Sequence, residues 1–149
     1  RVGSWANRLG VLDGLVTQPL VQQGQEHIGL GGLFFKSADT EATRAWYARV
    51  LGMDFGEWGG LVFSPEVAAA HPGAGTVFSP FSADTDYFAP SDKDFMFNLM
   101  VDDLDGMLAR CAEHGVKPVK IFPDEANGRF AHIMDPEGRK IELWQPKPM

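Results

Sequence analysis

The sequence HIMDPEGRKIELWQP, residues 132–146, has the pattern of two strands joined by a tight turn. Pro136 and Gly138 suit the turn, because proline presets the backbone and glycine adopts a positive φ at low cost. The second strand carries Glu142 among apolar residues. A buried carboxylate needs a partner, so this strand is predicted to face a cleft, where Glu142 can meet a ligand, a histidine or water.

Strand periodicity predicts the partner of Glu142. If Ile133 pairs with Ile141 across the turn, His132 pairs with Glu142 and both side chains point the same way. Such a pair would satisfy the carboxylate and would favour the protonated imidazole. Both are candidate catalytic residues, and each has a structural alternative: Glu142 as a hydrogen-bond acceptor, and His132 as its partner.

The rest of the chain predicts a duplicated unit. Asp39 and Asp103 are candidate helix starts, and Gly52 and Gly115 are the matching stops. Strands are predicted at 28–36, 53–58, 60–65 and 75–81, and again at 95–101, 116–122, 128–134 and 139–145. The predicted fold class is α+β, with two tandem β-α-β-β-β modules whose sheets enclose a cleft.

These modules define the predicted domain organisation. Module one spans residues 28–82, a turn-rich linker spans 83–94, and module two spans 95–146, within a single domain of residues 28–149. Residues 1–27 form an N-terminal extension of unknown role.

Composition narrows the class of protein. The 149 residues carry a net charge of −7, which disfavours nucleic acid and anionic membranes as partners. The chain has no apolar run of the roughly 18 residues that span a membrane, and no recognisable targeting segment, so the expected location is cytoplasmic. The one cysteine, Cys111, excludes an internal disulfide and is predicted to be a buried core residue.

The same alternation predicts the cleft wall. It combines apolar and aromatic side chains with a few polar ones, which is typical of a small-molecule pocket. Several residues of this wall could instead have a purely structural role. The methionines could fill the core, Asn98 could bond to a neighbouring strand, and Lys36 could reach solvent at a strand end. Besides Glu142 and His132, the predicted ligand-binding residues are Phe34, Lys36, Met96, Asn98, Met100 and Trp144.

The chain resembles the vicinal oxygen chelate superfamily in three features. These are the paired β-α-β-β-β units, the segment AWYARVLGMDF (45–55) and the ending FAHIMDPEGRKIELWQP (130–146). This group includes glyoxalase I, bleomycin resistance proteins, fosfomycin resistance enzymes and extradiol dioxygenases. The resemblance covers residues 28–146 and is more specific for the fold than for an activity, because function belongs to sites rather than folds.

The resemblance also implies where metal ligands would lie. In metal-dependent members a histidine precedes each helix-opening aspartate by seven residues, and these positions are Gly32 and Met96 here. Glu142 alone matches a ligand position. Catalytic metal sites usually have about three protein ligands, so neither a metal nor another cofactor is expected.

Two classes of function, and a third alternative, are consistent with these residues. The first is a metal-free, bleomycin-resistance-like binding protein, which forms a homodimer and holds an amphipathic ligand; the acidic surface would suit a cationic one. The second is an enzyme, either a lyase or isomerase of the glyoxalase kind or a metal-free proton-transfer catalyst that uses Glu142 with His132. The third is a structural or regulatory dimer, whose sign would be large residues filling the cleft.

Overall fold

The computed structural model describes residues 24–148, so the predicted extension lies largely outside the described residues. The helices are α1 (Thr40–Leu51), α2 (Pro65–Ala69) and α3 (Leu104–Glu113). The strands are β1 (Phe97–Met100), β2 (Lys120–Ile121), β3 (Gly128–Met134) and β4 (Lys140–Pro146). They form one sheet in the order β1-β4-β3-β2. The fold is therefore α+β, and residues 97–146 make one β-α-β-β-β unit.

The predicted register of the β3–β4 hairpin is confirmed. Ile133 pairs with Ile141, and His132 pairs with Glu142 in an antiparallel ladder. Gly138 has a φ of 83°, as the turn requires. On the other side of β4, β1 runs parallel and places Asn98 beside Glu142.

Both predicted helix starts are confirmed. The Asp39 side chain accepts a hydrogen bond from the amide of Ala42 at the start of α1. Asp103 accepts one from the amide of Gly106 at the start of α3. Gly52 ends α1 with a φ of 71°, a left-handed conformation that glycine adopts without a Cβ penalty.

The predicted strands of module one are wrong. Residues 24–96 contain α1 and α2 but no β-strand. A strand forms only where a second backbone offers a hydrogen-bonding ladder, and the backbone bonds around Gly56 and Gly60 make only a local turn. The apolar side chains expected in a covered sheet are instead exposed, including Ile28 and Phe34, each at 94%.

The two faces of the sheet are covered by different segments. Helices α1 and α3 cover one face, where Cys111 is buried as predicted, and burial raises the pKa of its thiol. We call this the helix-side core: Trp46, Tyr47, Val50, Leu51, Phe97, Leu104, Cys111, Ala131, Ile133, Ile141 and Leu143. The opposite face carries the Glu142-side cluster: Tyr87, Phe122, Phe130 and Trp144.

The turn at residues 135–139 fastens α1 to the sheet. Arg139 is buried and donates hydrogen bonds to Asp135 (2.8 Å), to Glu137 (2.8 Å) and to the carbonyl of Lys36 (2.6 Å). Glu137 in turn accepts bonds near the start of α1, from the hydroxyl of Ser37 (2.8 Å), the hydroxyl of Thr43 (3.0 Å) and the amide of Ala38 (3.0 Å). We call this network the turn clamp.

Candidate functional site

The candidate site is centred on the carboxylate of Glu142, which is 1% exposed. Its Oε1 accepts a hydrogen bond from Asn98 Nδ2 at 2.8 Å. Its Oε2 accepts one from the hydroxyl of Tyr87 at 2.5 Å and lies 2.7 Å from His132 Nε2. These donors come from β1, β3 and the segment before β1. Both carboxylate oxygens are therefore satisfied by side chains from separate parts of the chain.

The pKa of His132 is lowered in the fold, the opposite direction from that expected of an imidazole beside a carboxylate. Burial lowers its pKa, and this effect exceeds the opposing hydrogen bond and charge of Glu142. The positive charges of Lys140 and Lys120 lower it further. Because a carboxylate only accepts, Nε2 carries the proton and donates to Glu142. Nδ1 is buried and has no hydrogen-bond partner among residues 24–148.

Aromatic rings enclose this polar group. The His132 ring makes T-shaped contacts with the rings of Phe122 and Tyr87, with centroid distances of 4.8 and 5.2 Å. Phe81 lies 5.4 Å from the ring of Tyr87. The site therefore combines a desolvated carboxylate with an aromatic wall, as small-molecule sites commonly do.

Two residues of the site were not predicted. Tyr87 falls in the predicted linker but is 6% exposed and reaches Glu142. Lys140 is buried, and its Nζ donates to the carbonyls of Tyr87 (2.7 Å) and Ala89 (2.8 Å). Burial lowers the pKa of Lys140, although the charge of Glu142 opposes this. The available signals were an aromatic pair, Tyr87-Phe88, inside a polar stretch, and the two-residue spacing of Lys140 and Glu142.

The structure brings together part of the predicted cleft wall. Asn98 bonds to Glu142, Trp144 belongs to the Glu142-side cluster, and Met96 packs against that cluster. Phe34 and Lys36 are exposed and do not line it. Their predicted place depended on a module-one sheet that is not formed in residues 24–96.

An open pocket of about 350 Å³ lies apart from the Glu142 carboxylate. Asp54 is the ionisable residue among those that line it. Of the predicted site residues, Met100 lines it. The remaining lining residues are Leu51, Gly52, Met53, Leu61, Val62, Phe63, Leu99, Val101, Met107 and Leu143.

The donor chemistry around Glu142 does not fit a divalent metal. The carboxylate already accepts hydrogen bonds from neutral donors, and no second carboxylate faces it in the contacts of the described segment. Within residues 24–148, no three His, Cys, Asp or Glu side chains are grouped so that they could hold a metal ion.

The β-α-β-β-β unit of residues 97–146, with Glu142 on its last strand, fits the fold of the vicinal oxygen chelate superfamily. The sequence model of the glyoxalase-like domain family matches residues 32–144. The chain belongs to this family. No curated protein matches it significantly.

Solved structures with similarity to the chain include two of related type. TnmS3, an antibiotic binding protein from Streptomyces sp. CB03234, is 28% identical over 74% of this chain and 88% of its own, with a TM-score of 0.45. A glyoxalase / bleomycin resistance protein from Catenulispora acidiphila DSM 44928 is 26% identical, and the match covers 73% of this chain and 90% of its own, with a TM-score of 0.39. A protein of unknown function from Agrobacterium tumefaciens strain C58 is 18% identical, and the match covers 81% of this chain and 100% of its own, with a TM-score of 0.44.

Among residues 24–148, every helix is too short or too polar to cross a bilayer.

Proposed function

We propose that this protein binds a small, amphipathic organic molecule at the Glu142 face of the sheet, without a metal. The observation that carries the proposal is the buried carboxylate of Glu142 inside an aromatic wall. Membership of the glyoxalase-like domain family supports it. Among solved structures with similarity to this chain, one is described as an antibiotic binding protein.

The Glu142 face is a better candidate than the open pocket. A carboxylate, an amide and an imidazole converge there, whereas Asp54 is the ionisable residue among those that line the open pocket. Specific orientation of a ligand depends on a few convergent polar groups. An amphipathic ligand satisfies both parts of the Glu142 face, since its rings meet the aromatic wall and its polar end meets the carboxylate.

A titration tests this assignment. Calorimetry with 2-naphthol and 1-naphthylamine is expected to show saturable binding of one molecule per chain. Glu142→Gln should weaken this binding by about tenfold, because an interaction with a charged group contributes on the order of 1.5 kcal/mol or more. Met107→Trp, which fills the open pocket, is the control and should leave the affinity unchanged. Loss of binding in Met107→Trp alone would assign the ligand to the open pocket instead.

Proton transfer is the second candidate function. The specific observation is the geometry of His132: Nε2 bonds to Glu142, while Nδ1 has no hydrogen-bond partner among the described residues and could accept a proton. Turnover of a bound ligand should then disappear in both Glu142→Gln and His132→Gln. A binding protein would release its ligand chemically unchanged in every variant.

We further propose that the protein acts as a homodimer. Large apolar side chains of residues 28–78 are exposed, among them Phe34, Val62 and Phe78. Monomeric proteins rarely expose contiguous apolar patches larger than a few hundred Å². A second copy could cover these side chains and supply the strand partners that module one lacks within the described residues.

A further inference from the structure

Tyr87 occupies the Glu142 face in the way that a bound ligand would. Its hydroxyl donates to Glu142, and its ring lies 5.4 Å from Phe81 and 6.5 Å from Phe122. The side chain is 6% exposed. A phenol attached to the chain therefore fills the space between the carboxylate and the aromatic wall.

The segment that carries Tyr87 contributes no strand to the sheet. Residues 81–90, which we call the Tyr87 segment, form turns closed by bonds such as Ala89 N to the carbonyl of Asp86. Lys140 tethers the segment through side-chain bonds to two of its carbonyls. Irregular segments held in this way open at lower free energy than strands and helices of the core. The Tyr87 segment takes no part in the ladder between β3 and β4, so its departure would leave that ladder intact.

The group that replaces Tyr87 must restore a hydrogen bond. When the hydroxyl departs, Glu142 Oε2 keeps the bond to His132 Nε2 but loses one of its two hydrogen bonds, and the loss of a bond to a charged group costs free energy. A ligand with a hydroxyl on an aromatic ring replaces both the bond and the ring contacts. An aromatic ether of the same shape replaces only the ring contacts.

From this geometry we infer that the Tyr87 segment is a displaceable plug and that the ligand is a hydroxylated aromatic compound whose O–H takes the place of the Tyr87 hydroxyl on Glu142. This inference rests on the proposed binding at the Glu142 face and adds the chemical class of the ligand. Tyr87 competes with the ligand, so the apparent affinity is the intrinsic affinity multiplied by the fraction of molecules with the plug open.

The test compares Tyr87→Ala with the wild-type chain, using 2-naphthol and 2-methoxynaphthalene as probes in calorimetric titrations. Tyr87→Ala is expected to bind 2-naphthol at least about tenfold more tightly, because the competitor is removed. It should bind 2-methoxynaphthalene about tenfold more weakly than 2-naphthol, because the ether has no donor. The double variant Tyr87→Ala/Glu142→Gln should lose this preference.

A second pair of variants keeps the test valid if Tyr87→Ala does not fold. Tyr87→Phe removes only the hydroxyl and should bind 2-naphthol several-fold more tightly than the wild type. Tyr47→Phe is the matched control, since Tyr47 is also buried and donates to a carboxylate, that of Asp135 at 2.6 Å, within the helix-side core. Its affinity for 2-naphthol should not change.

The outcomes separate the two proposals. Equal 2-naphthol affinities in the wild type, Tyr87→Phe and Tyr87→Ala would overturn the plug, while binding that depends on Glu142 would still support the proposed function. Equal affinity for the hydroxyl and methoxy probes would overturn the ligand class. Absence of saturable binding in the wild type and in every folded Tyr87 variant would overturn both proposals.

Discussion

Glu142 shows how a carboxylate is accommodated in a buried strand. Its oxygens accept hydrogen bonds from Asn98 and Tyr87, and His132 lies within hydrogen-bond distance. The cost of removing the carboxylate from water is offset because these donors replace the water molecules. This residue is therefore satisfied in the folded chain, and under the proposed displacement of Tyr87 it would meet a ligand that brings an equivalent donor.

Glu142→Gln is expected to lower the free energy of unfolding by about 1–3 kcal/mol. The amide brings a donor to a place where Tyr87, Asn98 and His132 already donate, so one buried polar group is left unpaired. Urea denaturation measures the change. Glu113→Gln, on the exposed end of α3, is the control and should stay within about 0.5 kcal/mol of the wild type. Equal stability of the two variants would contradict this account of Glu142.

The lowered pKa of His132 predicts a pH dependence of stability. Burial lowers this pKa most strongly, so the unfolded chain binds a proton at a higher pH than the folded chain does. The contribution of neutral His132 is complete above the unfolded pKa of about 6.5. It is lost as the pH falls from there towards the folded pKa, by at most about 1.4 kcal/mol per pH unit for one proton.

Unfolding free energies of the wild type and His132→Gln between pH 7.5 and 5 measure this dependence. The wild type should lose stability on acidification with a steeper slope than the variant. A wild type that gains stability relative to His132→Gln over this range would show that the imidazole pKa is raised.

At the scale of elements, the turn clamp explains how a short hairpin positions α1. Hydrogen bonds from Ser37, Thr43 and the Ala38 amide lower the pKa of Glu137 to about 2, the amide bond being the largest cause. A carboxylate with a lowered pKa stabilises the fold above its unfolded pKa, and this contribution is lost as the pH falls through about 4 towards 2. The clamp is therefore fully formed at neutral pH.

Arg139→Met is expected to destabilise the chain by about 3 kcal/mol, because it leaves the buried Asp135 without its cation. Arg129→Met is the matched control. Arg129 also contacts two carboxylates, those of Asp105 (2.9 Å) and Asp124 (3.3 Å), but it is partly exposed, so its loss should cost less than about 1 kcal/mol. Thermal and urea unfolding of both variants measure these changes in stability. Similar losses of stability in the two variants would contradict the role given to Arg139 in the turn clamp.

At the scale of the whole molecule, the two halves of the chain differ in how their apolar residues are covered. Residues 97–146 form a sheet with buried residues on both faces. In residues 28–78, side chains such as Ile28, Phe34 and Phe78 are exposed. This asymmetry is the basis of the proposed homodimer.

Phe34→Asp is expected to shift the chain from dimer to monomer, because a charge in an apolar interface must be desolvated. Light scattering coupled to size exclusion should give about twice the 16.3 kDa chain mass for the wild type and the single chain mass for the variant. Ala112→Asp, on the exposed side of α3, is the control and should remain dimeric. A monomeric wild type would refute the homodimer.

The sequence by itself determined the features that depend on local chemistry. Asp39 and Asp103 cap their helices because a short side-chain oxygen can reach the first free amides. The turn at 135–138 sets the register of β3 and β4, and the two-residue period then places His132 beside Glu142. The family resemblance followed from the same segments. These features require no knowledge of distant contacts.

Only the tertiary structure decided the features that depend on what covers a residue. The polar surroundings of Tyr87 in the sequence conceal a ring that is buried against Glu142. The pKa of His132 is lowered because its burial outweighs the charge of the neighbouring carboxylate, an effect that the strand pairing alone does not reveal. The apolar and aromatic run of residues 28–36 predicted a strand covered on both faces, but such a run supplies no partner backbone. Burial and strand pairing are properties of segments brought together from distant parts of the chain, so a local pattern cannot determine them.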